Sequence, residues 1–222
     1  MTEHVCIAID GPAGAGKSTV AKQVAQRLNL LYIDTGAMYR AITLKALKKG
    51  MDLNNNRDME QLARNTTITL LAGPKQSVLL DDLDVTDEIR SPEVTQHVST
   101  IAKIPGVRQV LVERQQEIAR ETGVVMDGRD IGTVVLPKAK AKFFLTASAE
   151  ERAKRRAKEM VDRGYRIDLD ELIKEIEKRD SIDSTRAISP LIPAKDAVLI
   201  DNSGMTIDEV VDSIITWVEK GN

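Results

Sequence analysis

The chain has 222 residues, 30% of them charged and 42% hydrophobic, with a formal net charge of −2. This length suffices for one sizeable core or a core with an insertion, and the near-neutral charge excludes a general attraction to nucleic acid or anionic membranes. A lone cysteine, Cys6, excludes a disulfide framework, and with only two histidines beside it we expect no dedicated zinc site. We find neither a signal-peptide pattern nor the roughly 20 apolar residues of a membrane helix, and therefore expect a cytoplasmic protein.

The first predicted element is a phosphate-binding loop. Residues 11–18 read Gly-Pro-Ala-Gly-Ala-Gly-Lys-Ser, which matches the pattern G-x-x-x-x-G-K-[ST]. An apolar run at 4–10 precedes them and apolar residues at helical spacing follow, which is the strand-loop-helix context that the pattern requires. Backbone N–H groups of such a loop and of the following helix face a phosphate chain. Lys17 would then reach the β- and γ-phosphates of a nucleotide, and the Ser18 hydroxyl would meet Mg²⁺.

Four further apolar runs resemble the first strand, and helical patterns separate them. They are 30–33, 124–126, 142–145 and 198–200. This alternation predicts an α/β fold with a five-stranded parallel sheet flanked by helices, in which ligands bind beyond the carboxyl ends of the strands. Asp10, Asp34 and Asp127 stand at such ends, so we expect them along one rim with the loop. Asp127 is placed to hold Mg²⁺ there, directly or through water.

The alternation is interrupted between about residues 64 and 90. Two β-prone runs, 67–71 and 77–80, flank a Gly-Pro turn signal and predict a hairpin, to which 84–86 would add a third strand. A helix is predicted from Pro92 to about Ile101. Because an antiparallel piece joins a parallel core poorly, we interpret this region as a small inserted subdomain.

A basic segment follows the fourth core strand, at the predicted phosphate-binding rim. It opens with a helix-capping pattern, Ser-Ala-Glu-Glu at 148–151, and continues with five arginine and lysine residues up to 158 and with Arg-Gly-Tyr-Arg at 163–166. Such a run is more often a solvated helix face, but its position favours a mobile lid that carries arginines over the transferred phosphate. Arg152 and Arg156, four residues apart on one helical face, are the predicted contributors.

Two more arginine-bearing segments follow core strands. Asp-Thr-Gly-Ala-Met-Tyr-Arg at 34–40 comes after the second strand, and there Thr35 can cap the next helix while Arg40 offers a fork suited to phosphate. Asp-Gly-Arg-Asp-Ile-Gly-Thr at 127–133 comes after the third strand, and Arg129 offers a second fork. Both segments would reach the same rim of the sheet as the loop.

A third segment lies close to the lid. Arg179, Asp183 and Arg186 are spaced by four and three residues, which would put all three on one face of a helix. Each of them alone could form a surface ion pair. Together with the segments at 34–40 and 127–133, they indicate that a second phosphoryl group is held opposite the loop.

With these segments and the β-rich insertion, the chain resembles the bacterial cytidylate kinases, which have the nucleoside-monophosphate kinase fold of the P-loop nucleotide-binding proteins. The resemblance covers essentially the whole chain and is most specific at 127–133 and in the insertion. It implies that ATP, with Mg²⁺, is the donor and that CMP or dCMP is the acceptor. We accordingly divide one kinase unit into a core of 1–62, 102–147 and 187–222, an acceptor-binding insertion at about 63–101, a lid at about 148–168, and an acceptor-contacting helix at about 169–186.

The resemblance also assigns individual positions to the two substrates. The ATP-binding residues that it implies are Gly11, Pro12, Ala13, Gly14, Ala15, Gly16, Lys17, Ser18 and Thr19. The CMP-binding residues that it implies are Thr35, Arg40, Ser99, Arg108, Arg129, Asp130, Arg179, Asp183 and Arg186. Some members have Ser where this chain has Thr35, and the hydroxyl is retained.

Within the acceptor set, the resemblance separates three roles. It gives the phosphate to Arg40, Arg129 and Arg186, cytosine to Ser99, Arg108 and Asp130, and the sugar hydroxyls to Arg179 and Asp183. The chemistry of the base-reading group fits, since Ser99 and Asp130 can accept from an exocyclic amine while Arg108 donates to N3 or O2. Uracil lacks that amine and would leave the acceptors unpaired.

The expected mechanism needs no general base, because the nucleophile is an oxygen of the acceptor phosphate that is already anionic near pH 7. Positioning and charge neutralisation supply nearly all the catalysis in such reactions. The predicted catalytic residues are Lys17, Arg129, Arg152, Arg156 and Arg186. The predicted Mg²⁺ ligands are Ser18 and Asp127.

Two alternatives stay open. A kinase for another small acceptor, such as UMP, AMP or shikimate, would share the loop and the core. A nucleotide-dependent switch of the GTPase type would carry an Asn-Lys-x-Asp motif, and the nearest string here, Ala-Lys-Asp at 194–196, lacks the Asn. Since no heptad pattern or long apolar face calls for a partner chain, we expect a monomer that binds nucleotides and neither nucleic acid nor membrane.

Overall fold

The computed structural model of the chain describes residues 4–71, 73, 76–162, 164 and 167–221. The strands are β1 (Cys6–Asp10), β2 (Leu31–Asp34), β3 (Ile68–Leu71), β4 (Ser77–Leu80), β5 (Leu83–Asp84), β6 (Val124–Gly128), β7 (Ala141–Thr146) and β8 (Val198–Asp201). The α-helices are α1 (Lys17–Arg27), α2 (Thr35–Lys48), α3 (Asn56–Arg64), α4 (Pro92–Ile101), α5 (Pro105–Glu121), α6 (Ala149–Val161), α7 (Leu169–Thr185) and α8 (Ile207–Glu219). A short 3₁₀ helix spans Glu88–Arg90, and a π-helical turn spans Ile131–Val135.

Within the described residues, five parallel strands form the central sheet in the order β2-β6-β1-β7-β8. The predicted α/β fold and its parallel sheet are confirmed, and the strand ends differ from the predicted ones by one or two residues. Asp127 at the carboxyl end of β6 pairs in register with Ile9 of β1 and with Asp34 of β2. The acidic residues therefore lie along one rim, as predicted, where the loop after β1 begins.

Helices cover both faces of this sheet, so its central strands are buried on both sides, whereas the edge strand β8 is partly exposed. Ile7 and Ile9 of β1 pack with α1 and α8 on one face, whereas Ala8 packs with β6 and the π-helical turn on the other. All three are 0% exposed. Phe143 of β7 meets Trp217 of α8 edge to face, with ring centroids 5.3 Å apart. This packing holds β1 in place and thereby positions the start of the loop.

The antiparallel insertion lies against α2. Strands β3, β4 and β5 form a three-stranded sheet, which confirms the predicted hairpin, although Pro74 of the turn signal lies outside the described residues. The third strand is Leu83–Asp84 rather than 84–86, because Asp84 Oδ1 accepts a hydrogen bond from the N–H of Thr86 at 2.9 Å and turns the chain. Apolar side chains of β4 pack on α2, so the insertion is held next to the start of that helix.

Helices α6 and α7 follow β7 and pack on each other through a small apolar cluster. Ser148 caps α6 by accepting a hydrogen bond from the N–H of Glu151 at 3.2 Å, in agreement with the sequence pattern. Arg163, Tyr165 and Arg166 of the predicted lid lie outside the described residues. Every helix in the described part of the chain is too short or too polar to cross a bilayer.

Candidate active site

The loop between β1 and α1 has a backbone conformation that glycine permits. Gly11 has a φ of 146°, and Gly16, directly before the first residue of α1, has a φ of 81°. A side chain at either position would be strained, and a Cβ at Gly11 would lie 2.0 Å from the backbone oxygen of Leu145. The loop therefore lies directly against β7 and leads into the N-terminus of α1, which is the arrangement that binds phosphate.

Side chains from two distant segments bind carbonyl groups of this loop. Arg152 Nη1 donates to the backbone oxygen of Ala13 at 3.0 Å, and Asn202 Nδ2 donates to that of Ala15 at 2.7 Å. Arg155 in turn donates to the side-chain and backbone oxygens of Asn202, at 3.1 and 2.9 Å. The sequence analysis did not predict these contacts of Asn202 and Arg155. The indication that the sequence offered was the place of Asn202 directly after the fifth core strand, at the ligand-binding rim. These bonds hold the loop backbone in place from outside.

Lys17 is buried at the start of α1, with only 6% of its surface exposed. Its Nζ donates to the backbone oxygen of Pro12 at 2.7 Å, so the ammonium lies over the loop itself. Burial, followed by the positive charge of Arg129, lowers the pKa of Lys17 well below its ordinary value. A bound anion would stabilise a buried ammonium beside a second cation, so this placement fits the predicted phosphate contact.

The two predicted Mg²⁺ ligands lie together. Ser18 Oγ donates to Asp127 Oδ2 at 2.8 Å, and the Tyr32 hydroxyl donates to Asp127 Oδ1 at 2.8 Å. Burial, with the nearby carboxylate of Asp34, raises the pKa of Asp127 above its ordinary value, a shift that a bound cation would oppose. Among the described residues no group of three or more His, Cys, Asp or Glu side chains could hold a metal. Since Mg²⁺ in nucleotide sites takes one or two protein oxygens, with phosphates and waters, this pair fits it.

The start of α2 differs from the prediction. Asp34 caps the helix, because its Oδ1 accepts a hydrogen bond from the N–H of Ala37 at 2.9 Å. Thr35 is the first residue of α2, and its buried hydroxyl donates to the backbone oxygen of Asp127 at 2.7 Å. The predicted capping role of Thr35 is therefore wrong, since the carboxylate one residue earlier already stands in the capping position. Thr35 instead joins the segments 34–40 and 127–133.

Four arginines of the described residues, from four different segments, lie near one another: Arg40 on α2, Arg129 after β6, Arg156 on α6 and Arg179 on α7. Burial, followed by the charges of Arg129 and Arg40, lowers the pKa of Arg179 to about 9. The Nε of Arg179 is buried and has no hydrogen-bond partner in the described part of the chain. Crowded cations with an unpaired buried donor are what a site for an anion such as phosphate requires.

Asp183 on α7 orients one of these arginines. Arg129 Nε donates to Asp183 Oδ2 at 2.9 Å. Burial by itself would raise the pKa of Asp183, but the charges of Arg129 and Arg179 outweigh it and hold the pKa below its ordinary value. The prediction that Arg186 lies on one helical face with Arg179 and Asp183 is wrong, because α7 ends at Thr185. The Arg186 Nε instead donates to the backbone oxygen of Ser189.

A second constellation is centred on Asp130. Arg108 Nη2 donates to Asp130 Oδ2, and Arg108 Nη1 donates to the backbone oxygen of Ala102 at 3.2 Å. Arg186 Nη2 lies 3.7 Å from Asp130 Oδ1 and has no hydrogen-bond partner among the described residues. The Arg108 guanidinium lies over the Tyr39 ring, 5.6 Å from its centroid. Hydrogen-bond acceptors of Asp130 and donors of the two arginines thus lie side by side, an arrangement that can bind the polar edge of a planar base.

Ser99, the third predicted base-reading residue, lies half-buried on α4. No hydrogen bond joins it to Arg108 or Asp130 in the described structure, whereas those two are bonded to each other. Its role stays a prediction.

Sequence reasoning placed Asp10 at the rim but missed its role. Its carboxylate accepts hydrogen bonds from the N–H groups of Ile131 at 2.8 Å and Gly132 at 2.7 Å. Burial raises the pKa of Asp10 to about 6 in spite of these two donors. The bonds attach the segment 127–133 to the end of β1, directly before the phosphate-binding loop.

Two residues of the insertion attach it to the edge strand β2. Arg90 Nη2 donates to Asp34 Oδ2 at 2.9 Å. The Gln76 amide donates to the backbone oxygen of Tyr32 at 2.6 Å and accepts from the N–H of Asp34 at 3.3 Å, as a neighbouring strand would. The sequence predicted neither contact, because a single polar residue in an irregular segment carries no local pattern.

Known proteins resemble this chain over nearly its whole length. A family model described as "Cytidylate kinase" matches residues 7–220. A curated "Cytidylate kinase" from Desulforamulus reducens is 76% identical and covers 100% of both chains, and one from Pelotomaculum thermopropionicum is 54% identical, over 100% of this chain and 99% of its own. The solved structure of an uncharacterized protein from Eubacterium ventriosum, at 13% identity, has a TM-score of 0.56 over 98% of this chain and 99% of its own, and is alike in fold alone.

The family match includes the loop, the segments at 34–40 and 127–133, the insertion and α7. An identity of 76% over the full length of both chains means far more than a shared fold. The chain therefore belongs to the cytidylate kinase family and is a phosphotransferase.

Proposed function

We propose that this kinase transfers the terminal phosphoryl group of ATP to CMP or dCMP, forming ADP with CDP or dCDP. The observation that carries the proposal is a second cationic site beside the phosphate-binding loop. Arg129 and Arg179 lie near enough to Lys17 to lower its pKa, after the larger effect of burial. Two adjoining anion sites are what transfer between two phosphate-bearing substrates requires, whereas a nucleotide-dependent switch needs only one.

The reaction joins an oxygen of the acceptor phosphate to the γ-phosphorus of ATP and breaks the bond to the β–γ bridging oxygen. Because the attacking oxygen is already anionic, the residues act by placing and neutralising charge rather than by moving a proton. Lys17 and the loop hold the donor phosphates. Arg40, Arg129 and Arg186 bind the acceptor phosphate, whose charge would also offset the repulsion that Arg129 and Arg156 exert on Arg40.

For the metal, we propose Mg²⁺ at Ser18 and Asp127. When bound, the ion neutralises phosphate charge that would otherwise oppose the approach of the two substrates. The hydrogen bonds that Asp127 accepts from Ser18 and Tyr32 orient its carboxylate toward that place. Thr35, bonded to the backbone oxygen of Asp127, keeps the acceptor segment next to it.

For the base, we propose that Asp130 accepts from the exocyclic amine of cytosine while Arg108 donates to N3 or O2. The Arg108 guanidinium already lies beside the Asp130 carboxylate. Ser99 belongs to this group by resemblance alone. Arg179 and Asp183 are assigned to the sugar hydroxyls on the same ground.

The predicted division of the chain fits this proposal. The insertion at about 63–101 and the helix at about 169–186 serve the acceptor, and the lid at about 148–168 serves the transferred phosphate. We further propose that the enzyme acts as a monomer in the cytoplasm, where both nucleotides are available, with no nucleic-acid partner.

A panel of acceptors tests the proposal. ADP release from ATP is measured with CMP, dCMP, UMP, AMP and shikimate at matched concentrations. We expect kcat/KM to be highest for CMP or dCMP, since cytosine offers Asp130 an exocyclic amine, which uracil and shikimate lack, and offers Arg108 the O2 acceptor, which adenine lacks. Equal or better use of UMP, AMP or shikimate would favour the alternative kinases. Negligible turnover with every acceptor, together with tight GTP binding, would favour a switch.

A further inference from the structure

Arg152, in the first turn of α6, connects three segments of the chain. Its Nε donates to the backbone oxygen of Ala147 at 2.9 Å, and its Nη1 donates to that of Ala13 in the loop at 3.0 Å. Its Nη2 lies 2.6 Å from Asp180 Oδ2 on α7, and the Arg152 side chain is only 6% exposed. All three guanidinium nitrogens are thus engaged inside the protein.

The contact between α6 and the loop is tight. A Cβ at Gly14 would lie 3.1 Å from both the Cβ and the backbone oxygen of Arg152. Both of these atoms are fixed parts of the helix rather than the end of a flexible side chain. A shift of this turn of α6 must therefore move the loop or break the bond to Ala13.

Asp180 links Arg152 to the residues proposed to bind the acceptor. It directly follows Arg179, whose unpaired Nε belongs to the arginine cluster proposed above for the acceptor. The second oxygen of Asp180, Oδ1, is also buried with no hydrogen-bond partner among the described residues. A ligand that binds Arg179 therefore acts on α7 one residue away from the carboxylate that pairs with Arg152.

We propose that Asp180 is a positioning residue, which transmits acceptor binding from α7 through Arg152 to the phosphate-binding loop. CMP bound at Arg179 holds α7 in position, and with it Asp180 and Arg152. Arg152 is then held where it donates to the backbone oxygen of Ala13. The loop is then already shaped for the donor, so each nucleotide binds more tightly in the presence of the other. This inference rests on the proposed function, because it takes ATP and CMP as the two ligands. Arg152 then acts through the loop instead of reaching the phosphate from a lid.

Calorimetric titration measures the coupling directly. With Mg²⁺ present, the Kd of the non-hydrolysable analogue AMP-PNP is determined with and without saturating CMP, and the ratio of the two values is the coupling factor. We expect a factor of about five or more for the parent protein. For Asp180→Asn we expect a factor of about one, with the Kd of AMP-PNP alone changed by less than roughly threefold. Titration of CMP with and without AMP-PNP must give the same factor, since coupling is reciprocal.

Two further variants complete the test. Glu177→Gln removes a carboxylate from an exposed position of the same helix and should keep the parent factor. Arg152→Lys retains the charge, but a single ammonium cannot reproduce the fork that reaches Ala13 and Asp180 together, so it should also lose the coupling. Thermal unfolding shows whether Asp180→Asn folds. If it does not, Arg152→Lys still tests the proposal.

A parent factor near one would overturn the inference, and so would the parent factor in a folded Asp180→Asn variant. A variant that binds CMP more weakly but keeps the factor would also overturn it, since Asp180 would then serve the acceptor site alone. Absence of CMP binding by the parent would instead contradict the proposed function.

Discussion

The donor half and the acceptor half of the site are built in different ways. The phosphate-binding loop occupies consecutive residues, 11–18, and its shape follows from its glycines and from the strand and helix at its ends. The acceptor half takes side chains from α2, α5, α7 and the turn after β6. A pattern within a short run of residues can be recognised locally, whereas a cluster assembled from distant segments depends on the whole fold.

The two halves also differ in how far their polar groups are paired. In the donor half, the carbonyls of Ala13 and Ala15 are bonded to Arg152 and Asn202. In the acceptor half, Arg179 Nε and Arg186 Nη2 are buried without hydrogen-bond partners among the described residues. A buried unpaired donor costs on the order of 1–3 kcal/mol. The donor half is thus the more fully paired of the two, and we regard the acceptor half as the part whose unpaired donors a ligand completes.

The largest expected effect comes from the donor half. Lys17→Ala should reduce phosphoryl transfer by ~10²-fold or more, because it removes the cation nearest to the transferred group. If the halves are distinct, the Kd of CMP should stay within a few-fold of the parent value. Steady-state kinetics and calorimetry check both statements, with Lys49→Ala at an exposed position as the control. Activity within a few-fold of the parent would remove Lys17 from the mechanism.

A change in the acceptor half should have a smaller and more selective effect. Asp130→Ala should lower kcat/KM for CMP by about tenfold or more, and for UMP by less, because only cytosine has an amine for this carboxylate. The KM for ATP should change little. Kinetics with both acceptors measure the selectivity, and Asp208→Ala on the exposed face of α8 is the control. An unchanged CMP-to-UMP ratio would exclude Asp130 from base recognition.

The predicted lid gives a test of how the halves come together. We expect amide exchange in α6 to slow on the order of tenfold when an adenosine–cytidine bisubstrate analogue binds, because Arg156 is then held by the phosphates of the analogue. Hydrogen-exchange mass spectrometry measures this, with helix α3, which carries none of the proposed ligand contacts, as an internal reference. Equal exchange in α6 with and without the analogue would argue against a lid in this segment.

The smallest expected effect concerns Asp10, which links the loop to the segment 127–133. Burial raises its pKa to about 6 in the fold, above the value of about 3.9 expected for an unfolded chain. The folded state thus binds more protons between these two values, so this group makes the protein less stable as pH rises through that window. Asp10→Asn should remove this contribution, roughly 1–3 kcal/mol between pH 4 and pH 7.

Urea unfolding at each pH measures that contribution, with Asp208→Asn as the control. Asp208→Asn makes the same substitution at an exposed position and shows how far the change from Asp to Asn by itself alters stability. The same slope against pH in Asp10→Asn and the parent would contradict the raised pKa of Asp10.

The central sheet and the loop were predictable from the sequence because apolar strands and glycine spacing are local signals. The errors lie where two neighbouring groups compete or where an element ends. Asp34 caps α2 in place of Thr35 because it stands one residue earlier, and Arg186 leaves the face of α7 because the helix ends at Thr185. Asn202 gave no sequence pattern, since a contact between β8 and the loop appears only after the sheet is assembled.

The arginine-bearing segments indicated a second phosphate site, whereas the base-reading and sugar-contacting residues of the acceptor half could be predicted only through family resemblance. Arg40, Arg129 and Arg179 are each ordinary surface residues by sequence, and their mutual effect on pKa arises only when three segments meet. Resemblance also named Ser99, which forms no hydrogen bond to Arg108 or Asp130 among the described residues. Arg152 was predicted from helical spacing to cover the phosphate, yet its nitrogens bond to the loop and to α7.

Competition by one bisubstrate analogue tests most directly whether the loop and the arginine cluster form two halves of one site. The analogue joins adenosine and cytidine through a polyphosphate chain long enough to reach both. We expect it to compete with ATP and with CMP alike, and to bind more tightly than either nucleotide alone. Competition with only one of the two substrates would contradict a single two-substrate site.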